Sequence, residues 1–227
     1  MLDDLFLFVD RSEAGEKLAA KLHDEPLIQK AASEELLVLS IPRGGVVVGA
    51  TVAHQLGCAH NVIAVKKIGY PGHPELAIGA MAEDGTIVVN DYLMKELKGY
   101  IEQVIEEIST QIERTIQKFR QGRELELKSK TVIVVDDGIA TGETMKAAVI
   151  WLRSRSSAQR PKKVIVAAPV CSHHAARQFE QLADKFICLS VSKRFGAVGQ
   201  FYWDFDQISD EAVKEYLLQN AVAPLPS

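Results

Sequence analysis

The chain has 227 residues, of which 47% are hydrophobic and 25% charged, with a formal net charge of −4. This size and composition fit one soluble α/β domain with an appendage better than two independent domains, and the acidic balance argues against wholesale nucleic-acid or membrane binding. No apolar run approaches bilayer length. The opening MLDDLFLFVDRSEAGEKL lacks the basic start of a signal peptide. Cys58, Cys171 and Cys188 stand at an unremarkable spacing and read as reduced thiols, so a cytoplasmic protein is expected.

In chain order, Asp10 with Glu13 caps a helix through about Lys21, with Leu18, Ala19 and Leu22 as its apolar face. LLVLSI (36–41) is a short buried strand. GGVVVGATVAHQL is a helix that ends at Gly57. NVIAVKKI (61–68) is the next strand. The Gly- and Pro-rich stretch 69–85 holds no clear long element, and TIVVN (86–90) is a further short strand. Ile101, Val104, Ile105, Ile108, Ile112, Ile116 and Phe119 recur at helical spacing and predict one long helix from about Met94 to Gln121. KTVIVVDD, KKVIVAAPV and DKFICLSV are strands, TGETMKAAVIWLRS and HHAARQFEQLA are helices, and the tail VAPLPS is expected to be loose. Uninterrupted apolar strands between helices predict an open, mainly parallel sheet covered by helices on both faces. Right-handed crossovers then put the strand C-termini on one edge, where such sheets bind ligands.

Three turns follow strands and so share that edge: SIPRGG (40–45), KKIGYPG (66–72) and DDGIATGET (136–144). The last is the most informative. A Gly/Thr-rich turn that opens a helix directs backbone N–H groups and partial positive charge at one point, which suits a phosphate. Thr141 and Thr144 add hydroxyl donors. Glu143 is compatible if its side chain points outward, where an acid near a helix start is favourable. The turn is neither a P-loop nor a dinucleotide-binding turn, because both glycine patterns are missing. Asp136 and Asp137 are adjacent and repel, so a ligand or cation is needed to offset them. A sugar diol does so by donating a hydroxyl to each. Diol and phosphate sites side by side describe a ribose 5-phosphate. The alternative, Asp137 serving alone as a cap, leaves Asp136 unexplained.

These residues carry a resemblance. VIVVDDGIATGET resembles the phosphoribosyl pyrophosphate (PRPP) signature of the type I phosphoribosyltransferases. The string DRSEAG…IPRGG…KKIG…ELAIGA…DDGIATG…AVGQFYWDF resembles a branch of that family over most of the chain. The resemblance implies a single domain, 1–227, with a small hood over about 193–227. It implies that Asp136 and Asp137 hold the ribose hydroxyls and reach Mg²⁺, directly or through water. It places the 5′-phosphate on Ala140, Thr141, Gly142, Glu143 and Thr144. It puts Arg43 and Gly44 on the pyrophosphate, with a strained or flipped peptide at Arg43–Gly44. Lys67 is the favoured lysine for the pyrophosphate and Lys66 the second. Residues 69–85 become a catalytic lid, with a β-hairpin over part of them as the alternative. The implied partners are PRPP, a small nitrogenous acceptor and a second copy of the chain. The implied reaction is attack of a nitrogen on C1 of PRPP with departure of pyrophosphate. A PRPP- or nucleotide-sensing regulator on the same fold is the competing reading, and transfer to water a third.

The acceptor is not named by these residues. Ala140 stands where 6-oxopurine relatives carry an aspartate. Phe195, Phe201, Tyr202 and Trp203 offer rings for stacking under the hood, with hood core as the alternative for each. The helix near 94–121 fits a hood or a dimer contact. CSHH (171–174) lacks structural-zinc spacing, and Ser172 reads as a helix cap. RSRSSAQRPKK (153–163) reads as a solvated connecting loop rather than a nucleic-acid surface.

Overall fold

A computed structural model of the chain describes residues 6–89 and 91–219. Helix α1 (Arg11–His23) starts at Asp10, whose carboxylate accepts from Glu13 N at 2.9 Å. Glu13 reaches back to Val9 N, so the capping box closes one residue earlier than its usual form. Leu18, Ala19 and Leu22 are buried, as the spacing predicts. A one-turn helix α2 (Pro26–Gln29) leads to β1 (Leu36–Ser40), which is buried throughout. Helix α3 (Gly44–Leu56) ends at Gly57, whose φ of 61° is the left-handed turn that glycine permits. Then follow β2 (Ala59–Val62), β3 (Val65–Tyr70), β4 (His73–Ala82), β5 (Ile87–Val89), α4 (Asp91–Glu96) and α5 (Lys98–Arg120). The second half contains β6 (Thr131–Val135), α6 (Glu143–Ser154), β7 (Lys163–Ser172), α7 (His173–Leu182), β8 (Lys185–Ser192) and α8 (Asp210–Gln219).

Five strands form a parallel sheet in the order β2-β1-β6-β7-β8. Both faces are covered. Leu37, Leu39, Val132 and Val134 face α6 and α7, while Val38, Ile133 and Val135 face α1 and α3. From β1 the chain steps outward one way to β2, and from β6 the other way to β7 and β8. The crevice beyond the C-termini of β1 and β6 is therefore the topological switch point, where doubly wound sheets take ligands.

Three expectations change. NVIAVKKI is not one strand: it breaks at Ile63 and Ala64, with β2 in the parallel sheet and β3 antiparallel to β4. The stretch 69–85, expected to hold no clear long element, contains the ten-residue strand β4, so the alternative of a hairpin over part of it is what stands there. Its small residues explain this. Ala80 and Ala82 pack into the main core, Ile78 and Met81 face α5, and a Cβ on Gly79 would lie 2.4 Å from Val88 O in β5. The predicted long helix is two, α4 and α5, interrupted at Leu97 (φ −107°, ψ 17°), two residues before the poor helix former Gly99. The apolar stripe of α5 is covered by this hairpin, because Ile101, Ile108 and Ile112 pack with Ile68, Ile78 and Met81. Helix α8 was not anticipated; Val213 docks it on Val46 and Val62. Asn90, the tail VAPLPS and hood positions 220–227 lie outside the described residues.

The other polar features have structural partners. Ser172 caps α7 by accepting from Ala175 N at 3.1 Å. In the basic stretch, Arg153 and Lys163 both pair with Asp184, at 3.2 and 2.9 Å, and Arg155 lies 3.7 Å from Asp84. Among the described residues no helix is long and apolar enough to cross a membrane.

The foot of the hairpin is fixed by a buried ion pair. Arg120 at the end of α5 donates to both oxygens of Glu83, at 2.8 and 2.9 Å, and Ala64 N donates to the same carboxylate at 2.9 Å. The two side chains are only 3% and 9% exposed. Removing one partner strands the other charge. Glu83→Ala is expected to lower stability by about 3–5 kcal/mol, read from urea denaturation; an unchanged midpoint would contradict this role for the pair.

Candidate active site

The site is built on the neighbouring ends of β1 and β6. Ser40 stands beside Val135 in register, and Ile41 N donates to Val135 O at 2.9 Å. The PRGG turn is thereby laid against the acid pair. A Cβ on Gly44 would fall 1.9 Å from Asp137 Oδ2, and one on Gly45 would fall 2.9 Å from both Cα and Oδ1 of Asp136. Only glycine allows this approach. The turn has a cis peptide at Pro42–Arg43, one bond before the expected one.

The two acids are held differently. Asp136 Oδ1 accepts from Asp137 N at 2.9 Å. Burial, followed by the charge of Asp137, pushes the Asp136 carboxyl well above the usual range, while Lys67 acts the other way. Asp137 is gripped from outside the turn. Arg11 Nε donates to its Oδ2 at 2.8 Å, and the Tyr202 hydroxyl donates to its backbone carbonyl at 2.6 Å.

The loop after the acids hooks onto β7. Ile139 N donates to Val170 O at 2.9 Å, Ser172 N donates to Ile139 O at 2.8 Å, and Ser172 Oγ donates to Ala140 O at 2.6 Å. Gly142 then starts α6 at φ 84° with no side-chain cap, so backbone N–H groups of the first turn stay available to a ligand. Asp136, Asp137, Ala140, Thr141, Gly142 and Thr144 line one cavity of about 160 Å³, with Lys67 and Val198 on its walls. Glu143 is not part of the lining, consistent with an outward side chain.

Other predicted site residues lie elsewhere. Successive side chains of β3 point to opposite faces. Lys67 reaches the acid-pair cavity, whereas Lys66 lines a second cavity of about 370 Å³ with Arg43, Arg114, Lys118 and Asp210. Burial, followed by the charge of Arg43, pulls the Lys66 ammonium down. Arg43 Nη1 is 3.9 Å from Asp210 Oδ1, and Lys118 also pairs with that carboxylate. The Arg43 side chain thus lines a different cavity from the acids, while the glycines of PRGG lie against them. Phe201 and Tyr202 do not offer open ring faces. Both are buried in an aromatic cluster, where Tyr202 packs between Phe8 and Phe205 at 5.4 and 5.1 Å, and Phe201 packs on Phe195 at 5.0 Å. Burial also pushes the Tyr202 phenol up, so it stays a hydrogen-bond donor. Trp203 is 62% exposed and meets Phe6 edge-on.

Arg11 is the site residue that sequence reasoning missed. A signal was present: Arg11 falls in helical register with Ala14, Leu18 and Leu22, on the buried stripe of α1. A charge on such a stripe needs a buried partner.

Among the described residues no group of three or more His, Cys, Asp or Glu side chains converges on a metal position. The adjacent carboxylates do fit Mg²⁺, which keeps several waters and takes one or two carboxylates together with substrate oxygens.

Comparison with known proteins identifies the family and the fold. A family model described as a phosphoribosyl transferase domain matches residues 10–206. A protein named "Putative phosphoribosyl transferase" in two strains of Mycobacterium tuberculosis is 36% identical over 215 residues, covering 93% of this chain and 46% of the relative. The chain therefore spans about half the length of the curated relatives it matches. The crystal structure of TT1426 from Thermus thermophilus is 37% identical, with a TM-score of 0.75, covering 94% of this chain and 99% of that one. The AQ2163 protein of Aquifex aeolicus, 14% identical with a TM-score of 0.50 over 85% of each chain, shares the fold. On the family match and the fold together, this chain belongs to the phosphoribosyl transferase domain family.

Proposed function

We propose that the protein transfers the 5-phosphoribosyl group of PRPP to a small nitrogenous acceptor and releases pyrophosphate. The observation that carries this reading is the single cavity lined by the acid pair, the amide-rich start of α6 and Lys67. The names of the Mycobacterium tuberculosis relatives support the same class of reaction.

In this reading the 5′-phosphate sits on the amides and hydroxyls of Ala140–Thr144, where the α6 dipole favours negative charge. Asp136 and Asp137 accept the ribose 2′- and 3′-hydroxyls, which relieves their mutual repulsion. The bond from C1 to the pyrophosphate oxygen breaks as the nitrogen–C1 bond forms. Positive charge builds on the ribose ring, near the acids, and negative charge builds on the departing pyrophosphate. Lys67 draws the leaving group as a point charge. The PRGG turn serves through its glycines, which let substrate and carboxylates come close; the Arg43 side chain reaches pyrophosphate only from the neighbouring basic cavity. Mg²⁺, held by Asp136 and Asp137 with substrate oxygens, would neutralise pyrophosphate charge when bound. The β3–β4 hairpin and the hood limit access of water, the competing nucleophile. Ala140 brings no carboxylate to the cavity, so an acceptor recognised through that position by an acid is disfavoured.

Pyrophosphate release from PRPP across a panel of nitrogenous acceptors tests the reading. Asp136→Asn combined with Asp137→Asn should abolish release while the far-UV spectrum stays that of the folded protein, with a lower melting temperature because Arg11 loses its buried carboxylate partner. Full activity in the double variant would refute the site. Chelation of divalent cations should stop turnover and added Mg²⁺ restore it; turnover that survives chelation would remove Mg²⁺ from the mechanism. Gly44→Ala drives a methyl into Asp137 and should cost about 1–3 kcal/mol of stability by thermal denaturation, together with most of the activity. A fully active, fully stable Gly44→Ala protein would show that the close approach is dispensable.

A further inference from the structure

We propose that Arg11 is a positioning residue that fixes the Asp137 carboxylate for ribose binding and ties the hood to the same atom. This rests on the PRPP reading above and extends it to a residue outside the three strand-end turns. Three separate parts of the chain meet at Arg11. Its Nε donates to Asp137 Oδ2 at 2.8 Å, its Nη1 donates to Asp206 O at 2.9 Å, and its guanidinium lies 3.7 Å from the centre of the Phe205 ring. The side chains of Arg11 and Asp137 are 9% and 13% exposed. Gly44 crowds the same oxygen, since a Cβ there would fall 1.9 Å from Asp137 Oδ2 and 3.1 Å from Arg11 Nε. Arg11 and the PRGG turn thus both occupy Oδ2, which leaves Oδ1 as the oxygen for a ligand hydroxyl.

A purely stabilising role accounts poorly for this arrangement. A buried ion pair is weak evidence for stability, because apolar residues of similar volume do as well. An apolar pair would not orient a carboxylate, and the carboxylate clamped here is one of the two that line the cavity. The rigid, flat guanidinium can donate in two directions while resting on an aromatic face, which a lysine cannot do. The hood segment it holds, around Phe205 and Asp206, also packs on Gly199, next to the cavity wall at Val198. Loss of Arg11 therefore frees Asp137 and loosens the hood together.

Calorimetric titration with Mg·PRPP reads the proposal without knowledge of the acceptor. Arg11→Gln is expected to weaken binding by about tenfold or more, the scale of one hydrogen bond to a charged group. Arg11→Lys should recover part of the loss, and millimolar guanidinium should partly rescue Arg11→Ala. A folded Arg11→Gln protein that binds like wild type would overturn the proposal. So would a loss that neither lysine nor guanidinium relieves, since that marks a structural role. If the Arg11 variants do not fold, Phe205→Leu keeps the charge but removes the ring beneath it. It should then weaken binding several-fold; unchanged binding would overturn the proposal. Wild-type protein that binds no PRPP would instead overturn the functional reading itself, so the two failures are distinguishable.

Discussion

The parallel pairing of β1 with β6 is the constraint on which the rest depends. It brings the turns after two strands, nearly a hundred residues apart in sequence, into contact at one point. Because Ser40 and Val135 are opposite each other, Gly44 and Gly45 rest directly on Asp137 and Asp136. A slip of one residue would turn every apolar side chain of a strand to the opposite face of the sheet. Both faces are packed, so the register is fixed by burial, and the site inherits its precision from the core.

That precision is spent on an unfavourable feature. Two half-buried carboxylates stand side by side at the end of β6, and burial followed by the charge of Asp137 pushes the Asp136 carboxyl up. The surroundings offset this unequally. Asp137 has an arginine and a tyrosine hydroxyl bonded to it; Asp136 has a bond from a backbone amide and the more distant Lys67. The pair is consistent with a site completed by its substrate: a diol or a cation removes the repulsion that the folded chain only partly relieves. The aromatic cluster of Phe8, Tyr202 and Phe205 has a part in this, since it carries the hydroxyl bonded to Asp137 and the ring beneath Arg11.

The sequence made much of this legible, for physical reasons that also explain the failures. The central strands β1 and β6 are continuous apolar runs and fall where the sequence places them. The acid pair and the Gly/Thr turn stood out because they directly follow one apolar strand, and in the structure they line one cavity. The resemblance already favours Lys67 over Lys66, and strand alternation in β3 sends the two to different cavities. The strand β4 was hidden because its Gly, Ala and Pro content resembles a loop, although the small residues are what let it pack between α5 and the main core. By sequence Phe201 and Tyr202 fit both stacking rings and core, and burial in the cluster with Phe8 decides for core. Arg11 escaped notice because a charge at the start of a helix ordinarily reads as solvated, and its partner is more than a hundred residues away.

The central claim is that a ribose 5-phosphate is recognised jointly by the acid pair and the start of α6. A crystal structure of the protein soaked with ribose 5-phosphate tests this most directly. The phosphate is expected against the amides of Ala140–Thr144, with the 2′- and 3′-hydroxyls on Asp136 and Asp137. A phosphate held instead among Arg43, Lys66, Arg114 and Lys118, with the sugar away from both aspartates, would contradict it.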